Sequence, residues 1–185
     1  SKTARMALEA GLTGKLVLTS FHTNDTIGAI VRLKEMGCEA FTLSNALQGV
    51  VCQRLLRRLC PACAQPFSYP EPVIKSLVAA KVFTPDAVPA LYQPKGCPSC
   101  NNTGFKGRVA ALEVLMANDA LRHMISINAS PGAIATVAAE KGAQVSLARY
   151  GSFLLANKLT GPGEVLRILP REEDPQIKVP MVDVL

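Results

Sequence analysis

The sequence predicts an α/β fold into which a small cysteine-containing module is inserted, and three observations indicate it. Residues 15–20 have the apolar pattern of a buried strand, and a helical pattern follows them. Residues 50–56 and 107–115 are rich in β-branched and apolar side chains, which is typical of two further strands. Between residues 60 and 107 the composition shifts to proline and turn residues, as in a loop-rich module. Helical stretches follow the last strand, so we expect a C-terminal helical region.

The length and composition are those of a folded protein. The chain has 185 residues, 49% of them apolar, which suits one ordinary domain or one domain with a small appendage. Its net charge of +6 permits contact with nucleic acid, nucleotide phosphates or an acidic membrane surface, although solubility alone would also account for it. No apolar run approaches the roughly 18 residues of a membrane-spanning helix, and no secretory signal is present. Because the chain begins at Ser1 rather than at a methionine, we expect a fragment of a longer protein.

Local signals place the elements of the N-terminal part. Asn24 and Asp25 are predicted caps of a helix with one apolar face, and Gly37 is predicted to end that helix. A second helix is predicted over residues 40–47. The stretch that follows is ambiguous, but its β-branched start favours a strand at residues 50–56.

The C-terminal part is predicted to be mostly helical. Inside the proline-rich segment we expect one short helix at residues 73–81. After the strand at 107–115, further helices are predicted at residues 119–127, 131–141, 147–157 and 161–169. The tail from Pro170 is charged and contains proline, so we expect it to be loose.

Four cysteines form two CxxC pairs, Cys60 with Cys63 and Cys97 with Cys100. Each pair turns two thiolates towards one point, and four thiolates satisfy tetrahedral Zn²⁺. In a module with little apolar core, metal binding would supply folding energy, and four sulfur ligands leave no open position for a catalytic water. Paired redox sites and disulfides are the alternatives. The remaining cysteines, Cys38 and Cys52, lie in apolar stretches and are predicted to be small buried side chains.

His22 follows the predicted strand at residues 15–20 and begins a polar loop. In open α/β sheets, ligands bind beyond the carboxyl ends of the strands, so a histidine there could contact a phosphate. Hydrogen bonding of a loop histidine to the backbone is the alternative.

Four stretches together resemble the secretion ATPase superfamily, the motor ATPases of type II secretion and type IV pilus assembly. The stretch "ALEAGLTGKLVLTSFHTNDTIGAIVRLKEMG" resembles its histidine box, and "QRLLRRLCPAC" with "GCPSCNNTGFKGRVAALEVL" resembles the tetracysteine module of assembly-type members. The stretch "GAQVSLARYGSFLLANKLTGPGEVLRI" resembles the C-terminal helices. The chain departs from the family pattern at Lys15, where histidine is common, at Phe21, where leucine is common, and at Lys2, where an acidic residue is usual.

The resemblance implies roles for individual residues. His22 corresponds to the box histidine, a catalytic residue expected near the terminal phosphate of the nucleotide, and Thr23 and Asn24 continue the box beside the nucleotide. Arg32 and Arg54 match basic positions whose role is a salt bridge or a subunit contact. The tetracysteine match implies the zinc ligands Cys60, Cys63, Cys97 and Cys100.

The resemblance also implies an architecture, namely the C-terminal half of a RecA-like P-loop ATPase core with an inserted zinc module. Its parts would be residues 1–57 (core, with the histidine box), 58–107 (zinc module), 108–169 (returning strand and C-terminal helices) and 170–185 (loose tail). The chain contains no GxxxxGK[ST] loop to cradle phosphates. ATP and Mg²⁺ would therefore bind the full-length protein, and this chain alone should not hydrolyse ATP.

The partners implied by the resemblance are those of a bacterial motor. We expect the full-length protein to be a cytoplasmic homo-hexamer, peripheral on the inner membrane through platform and adaptor proteins, whereas the oligomeric state of this chain alone stays open. Secretion, pilus-assembly and DNA-uptake machines carry the same motifs, so the sequence does not choose among them. A zinc-ribbon nucleic-acid-binding protein or an interaction module is the alternative, favoured by the basic cluster "RLLRR" at residues 54–58. The lack of interleaved aromatic side chains argues against nucleic acid as a direct partner.

Overall fold

The computed structural model describes residues 2–169, which form eight α-helices and five strands. This mixture confirms the predicted α/β class. The helices are α1 Lys2–Leu12, α2 Thr26–Glu35, α3 Ala40–Ala46, α4 Glu71–Ala79, α5 Asp119–Ser126, α6 Pro131–Glu140, α7 Leu147–Ala156 and α8 Pro162–Ile168. The strands are β1 Gly49–Leu59, β2 Gln65–Pro66, β3 Tyr92–Gln93, β4 Phe105–Met116 and β5 Gln144–Val145. The predicted loose tail at 170–185 lies outside the described residues.

The described residues divide into two compact units. The first comprises residues 2–53 and 112–146, and the second comprises residues 54–111 and 147–169. The predicted division at residues 57 and 107 remains a proposal. The two strands β1 and β4 each contribute residues to both units, whereas the helices belong to one unit or the other.

The core of the first unit is formed by helices α1, α2, α3, α5 and α6 together with the end of β4. Ile30, Leu43, Leu115 and Leu121 are fully buried in it. The caps expected for α2 are present in part. The Asp25 side chain accepts a hydrogen bond from the Gly28 amide, and Gly37 follows the helix with a φ of +82°.

Most predicted helices and strands are confirmed within a few residues, and the two long strands form one sheet with the short strand β5, in the order β1-β4-β5. Strands β4 and β5 are antiparallel, with Val114 opposite Val145 and Leu115 opposite Gln144. Strand β1 extends three residues beyond the predicted end at residue 56. The short strands β2, β3 and β5 were not predicted, because two residues carry no periodicity.

The predicted buried strand at residues 15–20 is wrong for the described part of the chain. These residues form neither helix nor strand, and Leu16 and Leu18 are both 85% exposed. A strand requires a neighbour that completes its hydrogen-bond ladder, and no strand within residues 2–169 pairs with this segment. The apolar content of residues 15–20 predicted that they are buried, but burial of a strand also requires a neighbouring strand.

Helix α1 was not predicted from the sequence. Its residues, such as Ala4, Met6 and Leu8, are good helix formers. Only Ala4 is buried, however, so the helix shows no wide apolar face that periodicity could detect.

The second unit has an apolar core, which the predicted module shares with helices outside it. Leu77 and Val82 around α4 and Leu91 before β3 are buried in one cluster with residues of the last two helices, including Leu154 and Val165. The proline-rich segment therefore packs against α7 and α8, and metal binding would add to an existing core. No helix among the described residues is long and apolar enough to cross a membrane.

Candidate metal centre and histidine loop

The two CxxC pairs lie in two turns of the second unit. Cys60 and Cys63 follow the end of β1, and Cys97 precedes a short 3-10 helix that ends at Cys100. Strand β2 starts two residues after Cys63, and it pairs with β3 in an antiparallel ladder that brings Gln65 opposite Gln93. This ladder closes the base of the intervening segment, so the long sequence gap between the pairs does not separate them in space.

The four cysteine sulfur atoms form one compact cluster. All four lie within 4.8 Å of one another. The distance is 3.9 Å from Cys60 to Cys97, 3.9 Å from Cys63 to Cys100 and 3.7 Å from Cys97 to Cys100. A tetrahedral Zn²⁺ with bonds of about 2.3 Å places its sulfur ligands about 3.8 Å apart. The arrangement therefore fits a four-sulfur metal site, and the distances are far too long for disulfide bonds.

Backbone amides stabilise a thiolate in this cluster. Burial opposes ionisation of the Cys100 thiol, but the amides of Cys97 and Gly104 donate to its sulfur over 3.3 and 3.2 Å. Together with the thiols of Cys97 and Cys63 they lower the pKa of Cys100 to about 6. Burial and the hydrogen bonds with Cys100 and Cys63 raise the pKa of Cys97 to about 11. A cation bound by the four sulfurs would displace the remaining protons.

Gly104 connects the two cysteine turns. Its amide donates to the Cys100 sulfur, and its carbonyl accepts a hydrogen bond of 2.9 Å from the Cys60 amide. Its φ of +73° favours glycine, and a Cβ at this position would lie 2.9 Å from the Cα of Pro94. The geometry of the cluster therefore depends on a residue that is not itself a ligand.

One arginine of the basic cluster before the first CxxC pair binds a buried carboxylate. The guanidinium of Arg57 forms a 2.9 Å ion pair with the buried carboxylate of Glu164, and it lies 4.1 Å from the centre of the Phe105 ring. The guanidinium is thus engaged by a carboxylate and an aromatic ring, while 62% of the Arg57 side chain stays exposed. Arg32, one of the two arginines that match basic positions of the family, forms an exposed ion pair with Glu35 over 2.9 Å.

The His22 loop, residues 22–25, lies in the first unit and leads into α2. His22, Asn24 and Asp25 are exposed, and Thr23 is partly buried. The carbonyl of Asn24 accepts a hydrogen bond from the Cys52 thiol, with a sulfur-to-oxygen distance of 3.4 Å. The loop is thus fixed through its backbone while its histidine faces solvent, where a ligand could reach it.

Two buried carboxylates near these sites were not identified from the sequence. Glu113 on β4 is 7% exposed, and its Oε1 accepts hydrogen bonds from the amide and the hydroxyl of Thr26. Glu164 on α8 is 4% exposed and binds Arg57. The sequence signal that could have identified these buried carboxylates is an acidic residue inside an apolar stretch, as in "ALEVL" and "GEVL".

Comparisons with known proteins support one family for nearly all of the described residues. The model of the family described as "Type II/IV secretion system protein" matches residues 1–167. The chain is 37% identical over 171 residues to type II secretion system protein E of Pectobacterium carotovorum, covering 92% of this chain and 33% of the relative. It is 40% identical over 166 residues to the type IV pilus assembly ATPase PilB of Thermus thermophilus, covering 90% of this chain and 18% of the relative.

A third relative shows the same pattern. The chain is 41% identical over 133 residues to the type II secretion system ATPase E of Vibrio cholerae, covering 72% of this chain and 26% of the relative. The chain thus spans a third or less of the length of these curated relatives.

Proposed function

Since the chain belongs to the type II/IV secretion system protein family, we propose that it is part of a bacterial motor ATPase for type II secretion or type IV pilus assembly. The observation that carries the proposal is the family match along residues 1–167, which includes both the His22 loop and the cysteine cluster. Relatives at this level of similarity bear the names of a secretion ATPase and a pilus assembly ATPase.

The phosphate-binding machinery is proposed to lie in a part of the protein outside this chain. The sequence has no GxxxxGK[ST] loop, and the curated relatives are at least three times as long as the matched segment. In the proposed motor, that other part would bind ATP and Mg²⁺ within a RecA-like core, to which residues 1–57 and the returning strand contribute. The exposed apolar stretch at residues 15–20 supports this proposal, because a longer core would provide the neighbouring strands that it lacks here.

His22 is proposed to act near the terminal phosphate of the nucleotide, with Thr23 and Asn24 beside it. An exposed histidine on a backbone-anchored loop suits this role, because phosphoryl transfer depends on groups held in position before the reaction. Arg32 and Arg54 are proposed to serve salt bridges or subunit contacts. This chain by itself would not hydrolyse ATP.

The four cysteines are proposed to hold structural Zn²⁺. Their sulfur separations of 3.7 and 3.9 Å support it, and ligation by four sulfurs leaves no position for a reacting water. The proposed assembly is a cytoplasmic homo-hexamer, peripheral on the inner membrane through platform and adaptor proteins. Nucleic acid is not proposed as a direct partner, because the chain lacks interleaved aromatic side chains on which bases could stack.

The test is the ATPase activity of the intact protein that contains this chain. The wild type is expected to hydrolyse ATP. Changing His22 to alanine should lower kcat much more than it weakens ATP binding, because the histidine is proposed to act on the transferring phosphate. The matched control is His123→Ala, which removes the second histidine of the chain from an exposed position on α5.

Three results are informative. Activity in the wild type and in His123→Ala, with a selective loss of kcat in His22→Ala, would support the proposal. Equal losses of kcat and of nucleotide affinity would contradict the role of His22. Absence of ATP hydrolysis by the intact wild type would contradict the motor function itself.

A further inference from the structure

Three neighbouring strands of one sheet each direct one side chain to the His22 loop or to the residue that follows it. Cys52 on β1 donates to the carbonyl of Asn24. Glu113 on β4 and Gln144 on β5 both bind Thr26, the first residue of α2. The C-terminal end of the loop is therefore anchored to the sheet at two adjacent points, and both anchors lie within the first unit.

Glu113 is the centre of this arrangement. Its Oε1 accepts hydrogen bonds from the Thr26 amide over 2.9 Å, from the Thr26 hydroxyl, and from Nε2 of Gln144 over 3.0 Å. Nε2 of Gln144 also lies 3.2 Å from the Thr26 hydroxyl oxygen. Burying a carboxylate is unfavourable unless its hydrogen bonds are made, so three donors at one oxygen account for its presence at 7% exposure. None of the ion pairs formed among residues 2–169 includes Glu113.

Glu113 also completes the start of helix α2. Asp25 caps the helix from within the loop by accepting the Gly28 amide over 2.6 Å, and Glu113 accepts the Thr26 amide from outside. Two carboxylates at the N-terminus of a helix are stabilised by its macrodipole. The two carboxylates together fix the residue at which α2 begins. They therefore also fix the direction from which residues 22–25 enter the helix.

We propose that Glu113 is a positioning residue for ATP hydrolysis, which holds the His22 loop so that His22 meets the terminal phosphate. The proposal rests on the motor function proposed above. Glu113 is buried and binds Thr26, the residue that follows the loop, so its effect on hydrolysis would pass through the placement of His22. Gln144 holds the carboxylate in the orientation that binds Thr26.

The first test compares Glu113→Ala with Glu113→Gln in the intact protein. Alanine leaves the Thr26 amide and the Thr26 hydroxyl without their acceptor, and it leaves Nε2 of Gln144 with only the Thr26 hydroxyl oxygen. We expect kcat to fall by about 10- to 100-fold with little change in KM for ATP, since small displacements of a reacting group have effects of that size. Glutamine keeps an oxygen at the Oε1 position and should retain most of kcat. Glu140→Ala, which removes an exposed carboxylate of the same unit, should match the wild type.

The second test is a double-mutant cycle with His22→Ala. If Glu113 acts through His22, adding Glu113→Ala to His22→Ala should cause no further loss of kcat. If Glu113 has a merely structural role, the two losses should multiply, and the proposal would be overturned. A fall in melting temperature with unchanged kcat in Glu113→Ala would also overturn it.

A milder pair of variants covers the case in which Glu113→Ala does not fold. Thr26→Val removes the hydroxyl donor and keeps the backbone amide, whereas Thr26→Ser keeps both. We expect Thr26→Val to lower kcat in the wild-type background but not in His22→Ala, and Thr26→Ser to leave it unchanged. Equal losses in both backgrounds would overturn the proposal. A wild type without ATPase activity would instead overturn the motor function, and the role of Glu113 with it.

Discussion

Glu164 of α8 binds Arg57 of β1 through three hydrogen bonds, although 107 residues separate them in the sequence. One carboxylate oxygen accepts the Arg57 amide over 2.8 Å, and the other accepts Nε over 3.1 Å and Nη2 over 2.9 Å. A carboxylate that binds both the backbone and the side chain of one residue fixes that residue closely. This contact therefore holds the end of β1, from which the first cysteine turn begins, against the last helix of the same unit.

The first prediction concerns the pH dependence of this contact. Burial opposes ionisation of Glu164, but hydrogen bonds from Arg57 and Arg167 hold the pKa of its carboxyl below the usual range. The folded pKa is lower than the unfolded one, about 4.3, so the contact stabilises the protein above that pH and is lost as the pH falls through the folded pKa. Glu164→Gln should lower the free energy of unfolding at pH 7 by about 1–3 kcal/mol, and by less at pH 3. Denaturant unfolding at both pH values measures this.

The control for that experiment is Glu71→Gln. Glu71 pairs with Lys75 over 2.8 Å in the same unit, but both side chains are about three-quarters exposed. Its removal should leave the unfolding midpoint close to that of the wild type, because exposed ion pairs contribute little. An equal effect of the two variants at pH 7 would mean that the burial of Glu164 is not what makes its contact strong.

The helices and longer strands were predictable from the sequence because their signals are local. Capping residues such as Asp25, terminating glycines such as Gly37 and the β-branched run of β1 all act within a few residues. The segment at residues 15–20 was not predictable in the same way, because its apolar pattern does not say which strand it needs as a neighbour.

The candidate sites show the same limit. The spacing of the four cysteines predicts one cluster, and the sulfur separations confirm that the four side chains meet. Glu113 and Glu164 were missed because each depends on a partner far away in the sequence, 87 residues for Thr26 and 107 for Arg57. Local patterns indicated the cysteine cluster and the His22 loop, but not the buried carboxylates, whose contacts are far away in the sequence.

The second prediction concerns metal content. We expect about one zinc ion per chain in the purified protein, and loss of the metal in Cys60→Ser or Cys97→Ser. Cys38→Ser should keep it, because Cys38 is buried in the other unit. Elemental analysis with a thiol count before and after chelation measures this. A metal-free wild type with four reactive thiols would contradict the proposed site and reopen the redox alternative.

The third prediction concerns the contribution of the proposed metal site to the folding of the second unit. Replacing Cys60 and Cys63 by serine should expose residues 53–108 to proteases. Helices α7 and α8 should also lose protection, because their side chains share the core of the second unit with Leu77 and Leu91. Limited proteolysis with mass spectrometry locates the cuts. An unchanged cleavage pattern, or cuts confined to the first unit, would show that the cysteines do not support this core.

The fourth prediction separates steric crowding from backbone strain at the cysteine turns. Gly104 and Gly107 have nearly the same φ, +73° and +76°, so alanine meets similar strain at either position. A Cβ at Gly104 would also collide with Pro94, whereas a Cβ at Gly107 meets nothing within 4 Å. Gly104→Ala should therefore weaken zinc retention against a chelator by at least about tenfold, the equivalent of about 1.4 kcal/mol, and Gly107→Ala should not. Equal retention in the two variants would mean that Gly104 does not set the geometry of the cluster.

The fifth prediction concerns the packing of α7 against α8. A Cβ on Gly151 would lie 2.6 Å from a methyl carbon of the fully buried Val165, and a β-branched side chain has little freedom to move away. Gly151→Ala should lower the free energy of unfolding by about 1–3 kcal/mol, as overpacked cores do. Gly163→Ala is the matched control, since it is also a helical glycine but has open space around it, and it should be neutral or slightly stabilising. If Gly151→Ala is as stable as Gly163→Ala in denaturant unfolding, the two helices do not pack as closely as this contact requires. The double variant Gly151→Ala, Val165→Ala should lose less free energy of unfolding than the sum of the two single variants. The smaller side chain at position 165 removes the methyl group that collides.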